Sequence, residues 1–298
     1  MNNTKEEETF SFQGEQFADI QMLHYRLPEF ETLSLRQKKL IYSLSQATLF
    51  GRDITFDQFG KYNLRIRKTL EAVYKHYQGE STDYEFQALG EYLKQVWFAS
   101  GIHHHYACDK FIPSFTEQFF RDAVLSVDKK QLPLRENEDV NELLNELCPV
   151  IFDPTIHPKR VNKADGVDLI CTSACNYYEG VNQQEVENYY AKMKAEGPDS
   201  EQPSYGLNST LIKKGNSVRE DVWKADGKYS AAIKQIIVWL ERAKAFTENE
   251  QQHKVISLLI KYYETGDLRD FDRYSIEWLH EQDGMIDFIN GFIEVYGD

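Results

Sequence analysis

The chain has little cysteine, a shortage of positive charge and no long apolar run, and each lack excludes something. Four cysteines, Cys108, Cys148, Cys171 and Cys175, are spread over 298 residues. Cys171 and Cys175 form a Cys-x-x-x-Cys pair, but no second pair follows at zinc-site spacing. Free thiols in a reducing compartment are the expectation. Lys plus Arg total 34 against 48 Asp plus Glu, a net charge of −14. Nucleic-acid backbones and anionic membranes both demand a clustered basic face, so neither is expected as a partner. No stretch reaches the roughly 18 apolar residues of a membrane span. Residues 1–9 hold no apolar signal-peptide segment, so a cytoplasmic protein is expected. Catalytic signatures are missing too: there is no His-Glu-x-x-His, Gly-x-Ser-x-Gly, phosphate loop or Gly-x-Gly-x-x-Gly.

What is present is a globular composition with 41% hydrophobic and 13% aromatic residues, enough for a large core. Apolar spacing predicts helices along most of the chain. The first runs over Glu15–Tyr25 and ends at Pro28. The next is capped by Thr32 or Ser34 and carries Leu35, Leu40, Ile41, Leu44 and Ala47 until Gly51. Further helices are expected over Leu64–Tyr77, Phe86–Phe98, Phe115–Val127 and Val140–Leu147, with three prolines breaking Pro149–Pro158. Val167–Thr172 leans toward strand. Asn182 with Glu185 forms a capping box for Val186–Ala195. Leu207–Ile212 and Val218–Trp223, joined through Lys214-Gly215-Asn216, read as a hairpin. Tyr229–Phe246, Gln251–Tyr263 and Phe271–His280 close the helical series, with Gly266 between the last two. The fold class is therefore mainly α with small β elements (α+β), a helical lobe with a hairpin and a C-terminal strand, taken as one unit over residues 1–298.

Two stretches carry chemistry. His103-His104-His105 lies in a loop bounded by Gly101 and Pro113. Consecutive side chains on one backbone diverge and seldom give three ligands to one tetrahedral ion, so no metal is assigned there. The terminal Gly291-Phe292-Ile293-Glu294-Val295-Tyr296-Gly297-Asp298 alternates as a strand. A period of two puts Phe292, Glu294 and Tyr296 on one face. A helix would set Glu294 and Tyr296 roughly 200° apart. The strand thus presents a carboxylate beside a phenol, though an edge-strand acid is more often a solubility device than a ligand.

That terminal segment resembles a hallmark of the dipeptidyl peptidase III family of zinc metallopeptidases, as does Asp109-Lys110-Phe111-Ile112-Pro113. Looser likenesses lie in Ser45–Gly51 and in the helix pair Tyr229–Tyr263 ending in Glu264-Thr265-Gly266. The likeness runs through nearly the whole chain in the family's order, strongest at 96–113 and 284–298 and weakest at 130–205. Members remove dipeptides from the free N-termini of oligopeptides, in a cleft between two lobes. Their zinc is held by a His-Glu-x-x-Gly-His motif and a later Glu, none of which occurs here.

The resemblance implies that this chain is the N-terminal part of such an enzyme, most of its lower lobe. It would bind no zinc itself, carry no catalytic residue and be inactive alone. Its partners would be the oligopeptide substrate and the remainder of the same polypeptide, which supplies zinc. By the same likeness Glu294 holds the peptide's α-ammonium group, Tyr296 contacts its backbone and Tyr106 lines the pocket for the N-terminal side chain. No role carries over to His103, His104 or His105. The chemistry suits the assignment, since an α-ammonium with a reference pKa of about 7.7–8.0 is favoured in its charged form beside a carboxylate. Such an anchor at a set distance from the metal makes specificity a ruler. The rival reading, from the missing catalytic motifs, is a non-catalytic helical module whose acidic surface binds a basic partner.

Overall fold

The computed structural model describes residues 10–197 and 202–290. The chain divides into two compact units, residues 1–33 and 34–298.

In the first unit β1 (Gln13–Phe17) and β2 (Ile20–Leu23) form an antiparallel hairpin, followed by a 3₁₀ turn over Pro28–Thr32. The helix expected over Glu15–Tyr25 is thus corrected to two strands. Phe17 and Ile20 have helical spacing, but they face each other as cross-strand partners. Ala18, at φ 46°, turns the chain between them. One apolar pair cannot hold a short helix in water, whereas a hairpin satisfies its backbone locally.

The second unit is mainly helical. Ser34 caps α1 (Leu35–Phe59), its hydroxyl accepting from the Gln37 amide while the Gln37 side chain returns to Ser34. The helix runs through Gly51, where a stop was expected. Gly51 is buried, and the packing around it outweighs a glycine penalty of about 1 kcal/mol. Then follow α2 (Asn63–His76), α3 (Tyr84–Ala99), α4 (Glu117–Ser126) and α5 (Val140–Phe152). Their buried faces form one core with Phe56 of α1, built on Leu70, Leu89, Leu93, Phe120, Leu143 and Leu147. Helix α5 passes through Pro149 because Val150 and Ile151 beyond it are buried in that core. Arg65 of α2 ties the group together, pairing with Glu138 at 2.6 Å and with Glu146.

The segment Val167–Thr172, expected as strand, contains the single-turn helix α6 (Leu169–Thr172), because Asp168 caps the Cys171 amide. The Asn182–Glu185 capping box does open α7 (Gln183–Glu196). The expected hairpin is present as β4 (Ser209–Lys214) and β5 (Ser217–Val222), turning at Gly215-Asn216 with Gly215 at φ 59°. β3 (Tyr178–Glu179) adds a parallel strand on the other side of β4. A second core packs α1 against α8 (Ser230–Lys244), α9 (Glu250–Thr265) and α10 (Leu268–His280). Gly266 ends α9 in the left-handed conformation, φ 67°. The expected C-terminal strand, 291–298, lies outside the described residues.

Candidate functional site

The loop bearing Tyr106 is built from the end of α3. Ser100 takes a left-handed C-cap at φ 54°, and Gly101 passes so close to Asn63 that a Cβ there would sit 2.2 Å from Asn63 Nδ2. Asn63 Oδ1 accepts from the Ile102 amide at 3.4 Å. The loop then closes on itself: the Phe111 amide donates to the Ile102 carbonyl at 2.8 Å, His104 to Asp109 at 2.7 Å and Cys108 to His104 at 3.0 Å. His104 Nδ1 accepts from the Tyr106 and Ala107 amides, at 3.2 and 3.0 Å. Tyr106 is left at the tip, 84% exposed. Its ring lies 4.4 Å from that of His105, which meets Phe98 edge-on at 4.8 Å. An exposed aromatic on a closed loop suits contact with a ligand side chain.

His103 parts from the other two histidines. His103 turns inward, donating from Nε2 to the His157 carbonyl at 2.8 Å, while His104 and His105 stack at 4.4 Å. Burial pushes the His103 pKa down to about 4, opposed by the hydrogen bond to the His157 carbonyl and helped by the smaller effects of the Lys110 and Arg160 charges. Lys110 ends α5 by donating to the carbonyls of Asp153 and Ile156, at 2.6 and 2.9 Å. Burial lowers the ammonium to about 8. Beneath the loop lies Arg160, which donates from Nη2 to the His105 carbonyl at 2.9 Å and rests over Phe59, 4.4 Å from its centroid. Nothing in the sequence singled out Arg160, because its contacts with His105 and Phe59 join segments far apart along the chain. Among the described residues no group of three His, Cys, Asp or Glu is placed to hold a metal.

Glu294 and Tyr296 lie outside the described residues. The segment leading to them is firmly held. Gln252 of α9 donates from Nε2 to the Ile286 carbonyl at 2.7 Å, and Glu248 accepts from the Ile286 amide at 2.8 Å. Trp278 donates to Asp287 at 2.9 Å, and the Tyr263 hydroxyl meets Asn290. The approach to Gly291 is therefore held by three polar contacts from α9 and α10 and a fourth from Glu248, just before α9.

Comparison with known proteins gives a consistent result. Residues 177–298 match Peptidase family M49. Dipeptidyl peptidase 3 of Homo sapiens is 20% identical, over 90% of this chain and 40% of its own length. Its counterpart in Nematostella vectensis is also 20% identical, over 73% of this chain and 33% of the relative. The chain thus spans less than half the length of these relatives. The solved dipeptidyl-peptidase III of Corallococcus sp. strain EGB shares the fold over 87% of this chain and 35% of that one, at TM-score 0.50 and 14% identity.

Proposed function

From the premise that this chain is related to the dipeptidyl peptidase III family, Peptidase family M49, over part of its members' length, we propose that it is the substrate-anchoring lobe of a zinc-dependent dipeptidyl peptidase. The observation that carries the reading is the family match over 177–298, which takes in both Glu294 and Tyr296. The docking of residues 284–290 on α9 and α10 supports it, since an anchor that sets cleavage position needs a rigid approach. In this reading Glu294 accepts the α-ammonium group of an oligopeptide, Tyr296 hydrogen-bonds its backbone, and Tyr106 lines the pocket for its first side chain. The described residues do not fit a zinc ion, so the metal belongs to residues other than these and no step is drawn through it. The piece alone would bind peptide and not cleave it. The helical interaction module remains the rival, and the family match speaks against it.

The test uses the complete enzyme. A charge-assisted hydrogen bond contributes roughly 1.5–3 kcal/mol, so Glu294→Gln should lower kcat/KM for dipeptidyl substrates by about ten- to a hundredfold. Peptides with an acetylated N-terminus should be poor substrates of both proteins. An unchanged kcat/KM in Glu294→Gln would remove the anchoring role.

A further inference from the structure

A cavity of about 460 Å³ lies where α6, β3, α7 and β4 meet, and it shares no residue with the Tyr106 loop. Its size falls within the range of small-molecule pockets, about 300–1,000 Å³. Part of its wall is apolar and held by packing: Val181 is buried in a small core with Val186 and Leu211, and Ile170 and Tyr178 pack against that core. Two charged side chains complete the lining, Glu185 in the first turn of α7 and Lys213 on β4. Each is set in place by its backbone. The parallel pairing of β3 with β4 brings Lys213 beside Gly180, where a Cβ would lie 3.3 Å from the Lys213 carbonyl. The capping box fixes Glu185, whose Oε2 accepts from the Asn182 amide at 3.1 Å.

The two charges meet, Lys213 Nζ donating to Glu185 Oε1. That hydrogen bond, and then the Asn182 amide, hold the Glu185 carboxyl below its usual range, so it is charged at neutral pH. Neither partner is used up. An ammonium carries three donors and Glu185 takes one, while each carboxylate oxygen can accept a second hydrogen bond. A simple acid at Lys213 would bring its charge against Glu185, and a simple amine at Glu185 would face Lys213. A zwitterion satisfies both, provided that its own charges are close enough to serve two side chains in contact. An α-amino acid meets that condition, since both groups sit on one carbon. A dipeptide separates them by roughly another 3.5 Å of chain. We propose that this cavity binds a free α-amino acid with an apolar side chain, its ammonium on Glu185, its carboxylate on Lys213 and its side chain against Ile170, Val181 and the Tyr178 ring. The inference stands without the peptidase reading.

Cys171 lines the same cavity and reports on it. Its thiol belongs to an exposed residue and donates to the Val181 carbonyl at 3.9 Å, so a ligand lying on Val181 covers it. Cys108, partly exposed on the Tyr106 loop, is the reference thiol. The reduced chain is treated at pH 7.5 with limiting N-ethylmaleimide and rising leucine, and adducts at both cysteines are measured by peptide mass spectrometry. Saturating leucine should slow the labelling of Cys171 at least fivefold and leave Cys108 unchanged. Three analogues should each need at least tenfold higher concentration: 3-methylbutylamine, which lacks the carboxylate, 4-methylpentanoate, which lacks the amine, and glycine, which lacks the side chain. Lys213→Met and Glu185→Gln should each raise the half-protecting concentration of leucine at least tenfold. No protection by leucine, equal protection by either singly charged analogue, or stronger protection by leucyl-leucine would overturn the proposal, and none of these depends on a variant folding.

Discussion

The carboxylate of Asp57 accepts the Tyr229 hydroxyl at 2.6 Å, joining the C-terminal end of α1 to the residue that begins α8. The same oxygen accepts from Asn176 Nδ2 at 3.2 Å, and Lys228 Nζ lies 3.5 Å away. Lys228 in turn donates to Thr210 on β4, so one acid links helix, loop and sheet. Burial, then the Asp57 charge, raises the phenol's pKa and keeps it a donor throughout the ordinary pH range. Tyr229→Phe should cost about 1.5–3 kcal/mol, the usual worth of a hydrogen bond to a charged group. A lower urea midpoint with unchanged m value would show it. Asp57→Ala should cost more, because it also leaves Lys228 partly buried without its carboxylate.

His103 makes stability fall in mild acid. Its folded pKa, about 4, lies below the ordinary 6.5, so above pH 6.5 the ring is neutral in both states. Between 6.5 and 4 the unfolded chain takes up a proton that the native chain refuses, and stability is lost over that window by up to about 3 kcal/mol. His157, lowered by burial and by Lys110, acts in the same direction. Urea midpoints at pH 7.5, 6 and 5 should fall in that order for the natural chain. His103→Asn should flatten the slope even if the variant is less stable throughout. A slope equal to that of the natural chain would deny the histidine its part.

The helices were legible wherever an apolar stripe met a capping residue, as at Ser34, Asn182 and Gly266. The failures have local causes. Glu15–Tyr25 has helical spacing over too few residues to outweigh a tight turn at Ala18. Pro149 breaks helices in general, but at this site the buried Val150 and Ile151 hold its helix in place. Of the site, the Tyr106 loop was visible from its Gly and Pro boundaries and from family likeness. Arg160 could not be found, since its place under the loop rests on contacts with the His105 carbonyl and the Phe59 ring, and spatial neighbours are not written in sequence order.

Gly101 is fixed by a neighbour, not by its own dihedral angles. A methyl group there would lie 2.2 Å from Asn63 Nδ2 and 2.8 Å from Cγ, and Asn63 is buried with Oδ1 committed to the Ile102 amide. Gly101→Ala should therefore destabilise by about 1–3 kcal/mol through overpacking. Asn63→Ala removes the obstacle, so the double variant should be less damaged than the sum of the two single ones. A double-mutant cycle on urea midpoints measures this coupling, and strict additivity would show that the two residues do not compete for the space.

Gln252 controls how the chain enters the proposed anchor. Its amide is 1% exposed, donating to the Ile286 carbonyl and accepting from the Glu248 amide at 2.8 Å, while Glu248 accepts from the Ile286 amide. Both backbone groups of Ile286 are thus satisfied by two side chains, Gln252 in the first turn of α9 and Glu248 just before it, and Gln252→Leu removes one directly and loosens the other. The Ile286 carbonyl then loses its partner, which costs about 1–3 kcal/mol when the group stays buried and less when the segment lifts into water. Lifting is the cheaper response, so the effect should be local: amide exchange over 284–290 should quicken at least tenfold while α9 keeps its protection. In the complete enzyme, a loosened approach should raise KM for dipeptidyl substrates and leave kcat nearly unchanged, since the substrate terminus is held less tightly before any bond breaks. Unchanged exchange at Ile286 would mean that Gln252 does not dock the segment. A fall in kcat at constant KM would place the effect in the chemical step instead of the anchor.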